Sequence, residues 1–600
     1  MKRISSWAWL PAAGLLLAGC GEKSREGSVQ VENAPLAEPP MVSECEPGVR
    51  GGRLVIAQLG DPKTFNPIIA NESSSTDILN GPVFSGIIEF DNEKQELVPG
   101  LAKSWEVTDD GMTWKFRFRD GVRWSDGHPF SVDDVLFTSR VVYDDKVQAS
   151  VRSLLMVEGK PWKWTALDSL TLQIELPAPF GTVLEVISSL YLVPKHKLEQ
   201  AYQEGRFEQM WGLNADPTEI VSLGPFRFKS YRPGEATVVE RNPHYWRVDK
   251  NQQRLPYLDE VVFVPIIDYN AAFLKFTTGE SDILDPVRPE DVAPIEDDQE
   301  KGQYTLLDLG PDVATNFLWF NLNPGSNKGR PFVTPYKRKW FEDVRFRRAI
   351  SHSINRAGLV TSVLQGIGNE QYEPMTIGNK KWYYRDMPRF KFDPVQAGAL
   401  LDEMGLTDRN GDGVREDAKG RKVEFTLYTN SENTIRKGFT TVIQADLKKV
   451  GIECNASPIE FNTLISHIRN DHEYEASLLG LTGGVPPDPA LSRNVWLSSG
   501  VTHQWYPEQK TPHTAWEAEI DRLMDVVVKE TEYAERKAAF DQVQKIIGEQ
   551  QPVIYLAREN LMVAVRNKFK NVRPSVLRPH VMWNVHEIYY DPSGDQIAKR

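Results

Sequence analysis

The sequence predicts an α/β protein of more than one domain, and three observations carry that prediction. Its 600 residues exceed what a single hydrophobic core usually organises. Residues 114–119 alternate strictly, with Trp114, Phe116 and Phe118 on one face and Lys115, Arg117 and Arg119 on the other. That period of two marks a strand with one buried face. Further along, Ile520, Leu523, Met524 and Val527, then Phe540, Val543, Ile546 and Ile547, recur at helical spacing, as in helices laid against a core. Apolar residues make up 40% of the chain and charged ones 26%, ordinary for a soluble globular protein. The formal charge of −13 argues against a nucleic-acid binder, which would present a basic face.

At the N-terminus, Lys2 and Arg3 precede an apolar run over residues 7–18, followed by Leu17-Ala18-Gly19-Cys20. A basic start, a short apolar stretch and small residues make a secretory leader, too short to span a bilayer as a stable helix. Leu-Ala-Gly-Cys resembles the bacterial lipobox, which implies lipidation at Cys20. Residues 21–50 are polar, rich in Glu, Pro, Ser and Gly, and aperiodic, as expected of a disordered tether. Cys45 and Cys454 then remain as a candidate disulfide in an oxidising compartment.

Residues 52–57 read as a short apolar strand broken by Asp61-Pro62. The strand at 114–119 turns at Asp120-Gly121, whose residues suit a positive-φ reversal, and Val122 and Trp124 open a return segment. Ser131 can cap the next helix, with Asp134 at its positive end. Residues 223–228 and 238–246 read as strand, turn and strand, closed by aromatic residues. Residues 257–265 form a strand, and 273–284 a helix passing into a strand, with Gly279 as the stop. Residues 325–340, basic and rich in Gly and Pro, read as a surface insertion. Helices follow at 392–405 and 435–450, the latter ended by Gly451, with a strand at 423–429 between them. Residues 552–557 and 561–565 return as strands.

Catalytic motifs are absent: there is no Gly-x-Ser-x-Gly, no phosphate-cradling loop, no His-Glu-x-x-His and no Cys-x-x-Cys. The ten histidines are scattered, and His467 and His472 are five apart, which puts them on different helical faces. Asp408, Asn410 and Asp412 match the first half of a calcium loop, but Lys419 stands where the bidentate acid is needed. These observations predict a protein that is not an enzyme and carries no cofactor.

The run at 101–138, LAKSWEVTDDGMTWKFRFRDGVRWSDGHPFSVDDVLFT, resembles the signature of the family 5 extracellular solute-binding proteins, the oligopeptide and dipeptide receptors of ABC importers. Phe65-Asn66-Pro67, residues 223–246, residues 314–322 and residues 343–356 resemble further segments of the same family. The resemblance implies a type II periplasmic-binding-protein fold, with two large α/β lobes joined at a hinge and an additional inserted lobe. On this sequence the leader would occupy 1–20 and the tether 21–50. Lobe I would comprise 51–79, 221–308 and 553–600, the inserted lobe II 80–220, and lobe III 309–552.

The resemblance also implies a monomer that captures a small solute, foremost an oligopeptide, and delivers it to an ABC permease and its ATPase. It would sit outside the cytoplasm, periplasmic or at the cell surface, lipid-anchored to a bacterial membrane. Carried over by segment, the ligand-binding positions are Asn316, Phe317, Trp319, Thr482, Gly483, Gly484 and Asp488. Peptide-binding members hold the peptide ammonium with an aspartate in a segment matched here by residues 480–489, GLTGGVPPDP. Asp488-Pro489 is retained, Leu481 replaces a tryptophan, and Gly484 falls where the aspartate is expected. A buried ammonium without a counter-charge is costly. Two alternatives therefore stay open: a receptor for a non-peptide solute such as an oligosaccharide, opine or metal chelate, and a surface signalling or chaperone-like protein on the same scaffold.

Overall fold

Three sheets organise the chain in a computed structural model that describes residues 35–594. The expected leader, Cys20 and the first part of the expected tether lie outside the described residues. The largest sheet has eight strands in the order Phe226–Arg232, Ala236–Arg241, Glu260–Ile266, Arg53–Leu59, Ile283–Val287, Ala557–Arg566 and Tyr304–Pro311, with Gly368–Glu370 paired to Ala557–Arg566 off this path. Arg53–Leu59 runs parallel to Glu260–Ile266, so both strands are central and read as apolar runs. Helices Tyr269–Thr278 and Pro289–Gly302 cover one face around Phe276, Ile295 and Ala564. Gly279 ends the first of them at φ 83°, where a left-handed residue closes the helix without a Cβ penalty.

A second, five-stranded sheet orders Glu453–Ile459, Glu424–Asn430, Ala476–Leu481, Thr315–Phe320 and Val553–Tyr555. Helices Thr434–Lys449, Ala515–Lys529 and Tyr533–Gln550 bury Ile443, Leu523 and Phe540 in its core. The third sheet is antiparallel, ordered Ala102–Val107, Thr113–Phe118, Thr171–Glu175 and Lys163–Asp168. Its Phe116 and Ile174 share one continuous core with Leu54, Val261 and Val563 of the first sheet. The body around the third sheet is thus fused to the first and separate from the second, whose core is its own.

Five expectations are corrected. First, residues 35–50 are not free tether. Met41–Val42 pairs in parallel with Arg247–Val248, Ala37 and Cys45 are buried, and Arg119 Nη1 donates to the Pro39 carbonyl at 2.7 Å. A few apolar side chains in a polar stretch are enough to dock it. Second, Val122 and Trp124 form no return strand; the neighbour of Thr113–Phe118 is Thr171–Glu175. Trp124 turns inward instead, fully buried, and its Nε1 donates to Asp134 Oδ2 at 3.2 Å. The same carboxylate completes the capping box with Ser131 at the start of Val132–Tyr143.

Third, the insertion at 325–340 is not all surface: beyond its exposed hairpin, Ser326–Asn327 with Arg330–Pro331, it forms a packed helix. Helix Pro335–Glu342 buries Trp340 and Phe341, because its apolar residues fall on one face. Fourth, Val553–Tyr555 pairs with Thr315–Phe320 in the second sheet, so the final return to the first begins at Ala557. Fifth, Cys45 and Cys454 are free thiols. Cys45 lies in the first core, 3.9 Å from the Tyr257 hydroxyl, and Cys454 in the second, so no disulfide joins them.

Candidate ligand-binding cleft

Two short crossings between the first and second sheets lie side by side, from Pro311 to Thr315 and from Tyr555 to Ala557, and Gly368–Glu370 returns from the second lobe to pair with Ala557–Arg566 at the same place. The crossings are tied to each other. Leu556 N donates to the Asn316 carbonyl at 3.1 Å and Asp312 N to the Glu559 carbonyl at 3.2 Å. Arg558 pairs with Asp312 and with Glu559. Buried Arg356 donates Nε to the carbonyls of Tyr555 at 2.8 Å and Gln371 at 3.2 Å. Two short, side-by-side connections between large bodies are the construction of a hinge.

Beside the hinge, strand Ala476–Leu481 pairs with Thr315–Phe320, with Leu481 opposite Thr315, and delivers Thr482, Gly483 and Gly484 to the surface of the cleft. All three are exposed, and their main-chain groups make no hydrogen bond among the described residues. Unpaired N–H and C=O groups continuing a strand are what an added extended segment would bond. A Cβ at Gly483 would lie 3.0 Å from Val313 Cβ, so glycine lets the hinge backbone close there. At Gly484 the nearest atom to such a Cβ is Pro486 O at 3.7 Å, an ordinary van der Waals distance that leaves room for a side chain.

Next to these residues lies a cavity of about 290 Å³. Phe317, Tyr555, Trp496, Trp505, Met375 and Val553 form much of its wall, and Leu154 and Ser189 of the inserted body close the opposite side. Asp488 is the one charged residue in that wall, and it is already paired. Arg536 Nη2 donates to its Oδ1 at 2.7 Å, with both side chains almost fully buried, and Ala490 N donates to the same oxygen at 2.9 Å. Burial raises the Asp488 carboxyl while Arg536 and Ala490 N oppose that rise. Glu185, on helix Val183–Ser188 of the inserted body, is raised too, by burial first and then by the field of Asp488.

The inserted body and the second lobe meet across the cleft. Gly181 N donates to the Val528 carbonyl at 2.8 Å, Gln95 Nε2 to the Gly378 carbonyl at 2.7 Å, and Lys380 N to Gln95 Oε1 at 2.9 Å. Val485 packs on the Leu561, Val576 and Leu577 cluster of the first lobe. The conformation is therefore closed.

The positions carried over from sequence divide into three groups. Thr482, Gly483 and Gly484 line the cavity together with Phe317. Asp488 lines it as well, with its carboxylate paired to Arg536. Asn316 and Trp319 lie outside the wall. Asn316 Oδ1 accepts from Arg436 Nε at 3.0 Å, and fully buried Trp319 donates Nε1 to the Tyr474 hydroxyl at 3.1 Å. Every residue of Thr315–Phe320 is buried, so no alternation showed which side chains face the cleft. Tyr555, Trp496, Trp505, Arg536 and Glu185 were missed. The density of tryptophan over 496–516 was a signal for Trp496 and Trp505 alone.

The calcium-loop oxygens are occupied by the protein itself. Asp408 accepts from Gly411 N and Gly413 N, Asn410 Oδ1 from Asp412 N, and Asp412 from Val414 N and from Lys422 Nζ at 2.9 Å. Among the described residues no cluster of three His, Cys, Asp or Glu could hold a metal ion. No helix among them is long and apolar enough to cross a membrane.

Two α/β lobes on a double-stranded hinge, closed over a lined cavity, define a binding protein of the type II periplasmic class. Residues 96–503 match the family model described as bacterial extracellular solute-binding proteins, family 5 middle, and the chain belongs to that family. A probable ABC transporter-binding protein of Deinococcus radiodurans is 30% identical over 553 residues, covering 88% of this chain and 91% of that protein. The oligopeptide-binding protein AppA of Bacillus subtilis, solved with a nonapeptide, shares the fold at TM-score 0.66 and 24% identity, over 91% of this chain and all of that one. NikA of Brucella suis, solved with Fe(III)-EDTA, does so at TM-score 0.73 and 21% identity, over 90% of this chain and all of that one. The chain is thus a family 5 solute-binding protein of an ABC transporter.

Proposed function

We propose that the protein captures an oligopeptide-like solute in the cleft between its lobes and delivers it unaltered to the permease and ATPase of an importer. It would act as a monomer, outside the cytoplasm, held at a bacterial membrane through lipid on Cys20. The observation that carries the peptide reading is the unpaired main chain of Thr482, Gly483 and Gly484 at the end of a buried strand. An extended backbone can add to it through repeated main-chain hydrogen bonds, whatever its side chains. Closure then stabilises the liganded form by contacts that the open form lacks. AppA, solved with a nonapeptide, supports this reading.

A second reading, a non-peptide solute, draws support from Gly484 and from the absence of any unpaired charge in the cavity wall. NikA, solved with Fe(III)-EDTA on the same fold, is consistent with it. Titration of solute-free protein with tri- to nonapeptides of mixed sequence separates the two. The peptide reading expects saturable binding with little dependence on sequence, and binding by none of them would refute it.

A further inference from the structure

We propose that the cavity beside Thr482–Gly484 is a subsite for an uncharged, bulky apolar group of the solute, an aromatic or branched aliphatic side chain in the peptide reading. The inference rests on this cleft holding the solute, and it adds what kind of group the solute must present there.

Volume gives the first argument. An apolar cavity of about 150 Å³ holds benzene, so a cavity of about 290 Å³ has room for a larger ring system or a branched chain. The wall gives the second. Phe317, Tyr555, Trp496, Trp505 and Val553 present rings and branched carbon to it, and such surfaces gain most from apolar partners.

Charge gives the third argument. Asp488, the one charged residue of the wall, is paired with Arg536. An ammonium entering the cavity would compete with Arg536 for Asp488, and a carboxylate would find no cation in the wall. Either ion would lose its hydration without recompense. Several polar side chains of the wall are also engaged, whereas the main chain of Thr482, Gly483 and Gly484 stays open to backbone contacts only along one edge. Asn379 Nδ2 donates to the Pro487 carbonyl at 3.0 Å and its Oδ1 accepts from Trp382 N at 3.1 Å. Trp496 Nε1 donates to Ser492 Oγ at 3.2 Å, and Gln504 Nε2 to the Thr502 carbonyl at 2.8 Å. They offer little to a charged or sugar-like group.

The test uses the full chain, freed of co-purified solute by unfolding and refolding. Indole, benzylamine and benzoate are titrated by calorimetry, and Ala-Phe-Ala, Ala-Lys-Ala and Ala-Glu-Ala in parallel. Indole is expected to bind at least tenfold more tightly than either ion, and the Phe tripeptide more tightly than the other two. Leu154→Trp, which narrows the cavity from the inserted body, should weaken indole at least tenfold. Gly484→Asp has room for its side chain and should narrow the gap between indole and benzylamine, which keeps the test decisive if L154W does not fold. Benzylamine or benzoate binding as well as indole would overturn the subsite. Tripeptides that bind alike would overturn it while leaving peptide capture standing. Indole binding as expected with no tripeptide bound would uphold the subsite and refute the peptide reading.

Discussion

Gly181 brings the backbone of the inserted body against that of the second lobe, and replacing it tests whether closure depends on that contact. A Cβ at Gly181 would lie 2.7 Å from the carbonyl carbon of Glu530 and closer still to its oxygen. The obstacle is backbone, so it cannot swing aside as a flexible side chain would. In Gly181→Ala the two segments must part, which breaks the 2.8 Å bond from Gly181 N to the Val528 carbonyl. Overpacking a tight contact costs about 1–3 kcal/mol, and a lost hydrogen bond about 0.5–1.5 kcal/mol. The sum is about 1.5–4.5 kcal/mol against closure, roughly tenfold or more in the closed-to-open ratio. The open form has no such contact, so its stability is untouched. Small-angle scattering of solute-loaded protein should show the larger, open dimension in the variant, with affinity reduced by a similar factor and urea unfolding of the solute-free chain unchanged. A variant that closes and binds like the parent would refute the assignment of this contact to closure.

Glu185 makes closure sensitive to pH. Its carboxyl moves from 4.5 to about 7 in the closed form, through burial first and then Asp488, against Arg536 and Lys381. The closed form therefore holds a proton that the open form has released, and closure weakens as pH rises from about 4.5 to 7. Glu185→Gln should close equally well at pH 5.5 and 8 by scattering, and a wild-type profile in that variant would contradict the assignment. Arg536→Met leaves Asp488 buried without its cation, at a cost of about 3–5 kcal/mol. Asp488→Leu added to it should restore most of the urea midpoint, and a single variant as stable as the parent would remove the pair from the account. Cys45 and Cys454 should react with a thiol reagent only after unfolding, and reductant should leave the melting temperature unmoved. A mobility shift on reduction would reveal a disulfide after all.

Local pattern made the elements legible and long-range pairing hid the site. The alternation at 114–119 and the stripes of 516–528 and 535–548 mark strand Thr113–Phe118 and helices Ala515–Lys529 and Tyr533–Gln550, since each depends on near neighbours in the chain. The sequence reads as strands at 552–557 and 561–565, and nothing in it marks Leu556, inside the first of them, as the point where the chain changes sheets. Asp488 was visible as a carboxylate, but its partner lies 48 residues away on a helix whose exposed face looks ordinary. Thr482, Gly483 and Gly484 were singled out only through the resemblance of residues 480–489 to a family segment, and they line the cavity. The aromatic wall from Phe317 to Tyr555 came together only in three dimensions, through the double crossing of the hinge.

Native mass spectrometry of the full chain, purified gently from cells grown on a peptide-rich medium, addresses the central claim most directly. The account predicts one small molecule per chain, lost on unfolding, identical in mass and fragmentation to a component of the medium and carrying a bulky apolar group. Recovery of that component in a chemically altered form after incubation with the protein would contradict it.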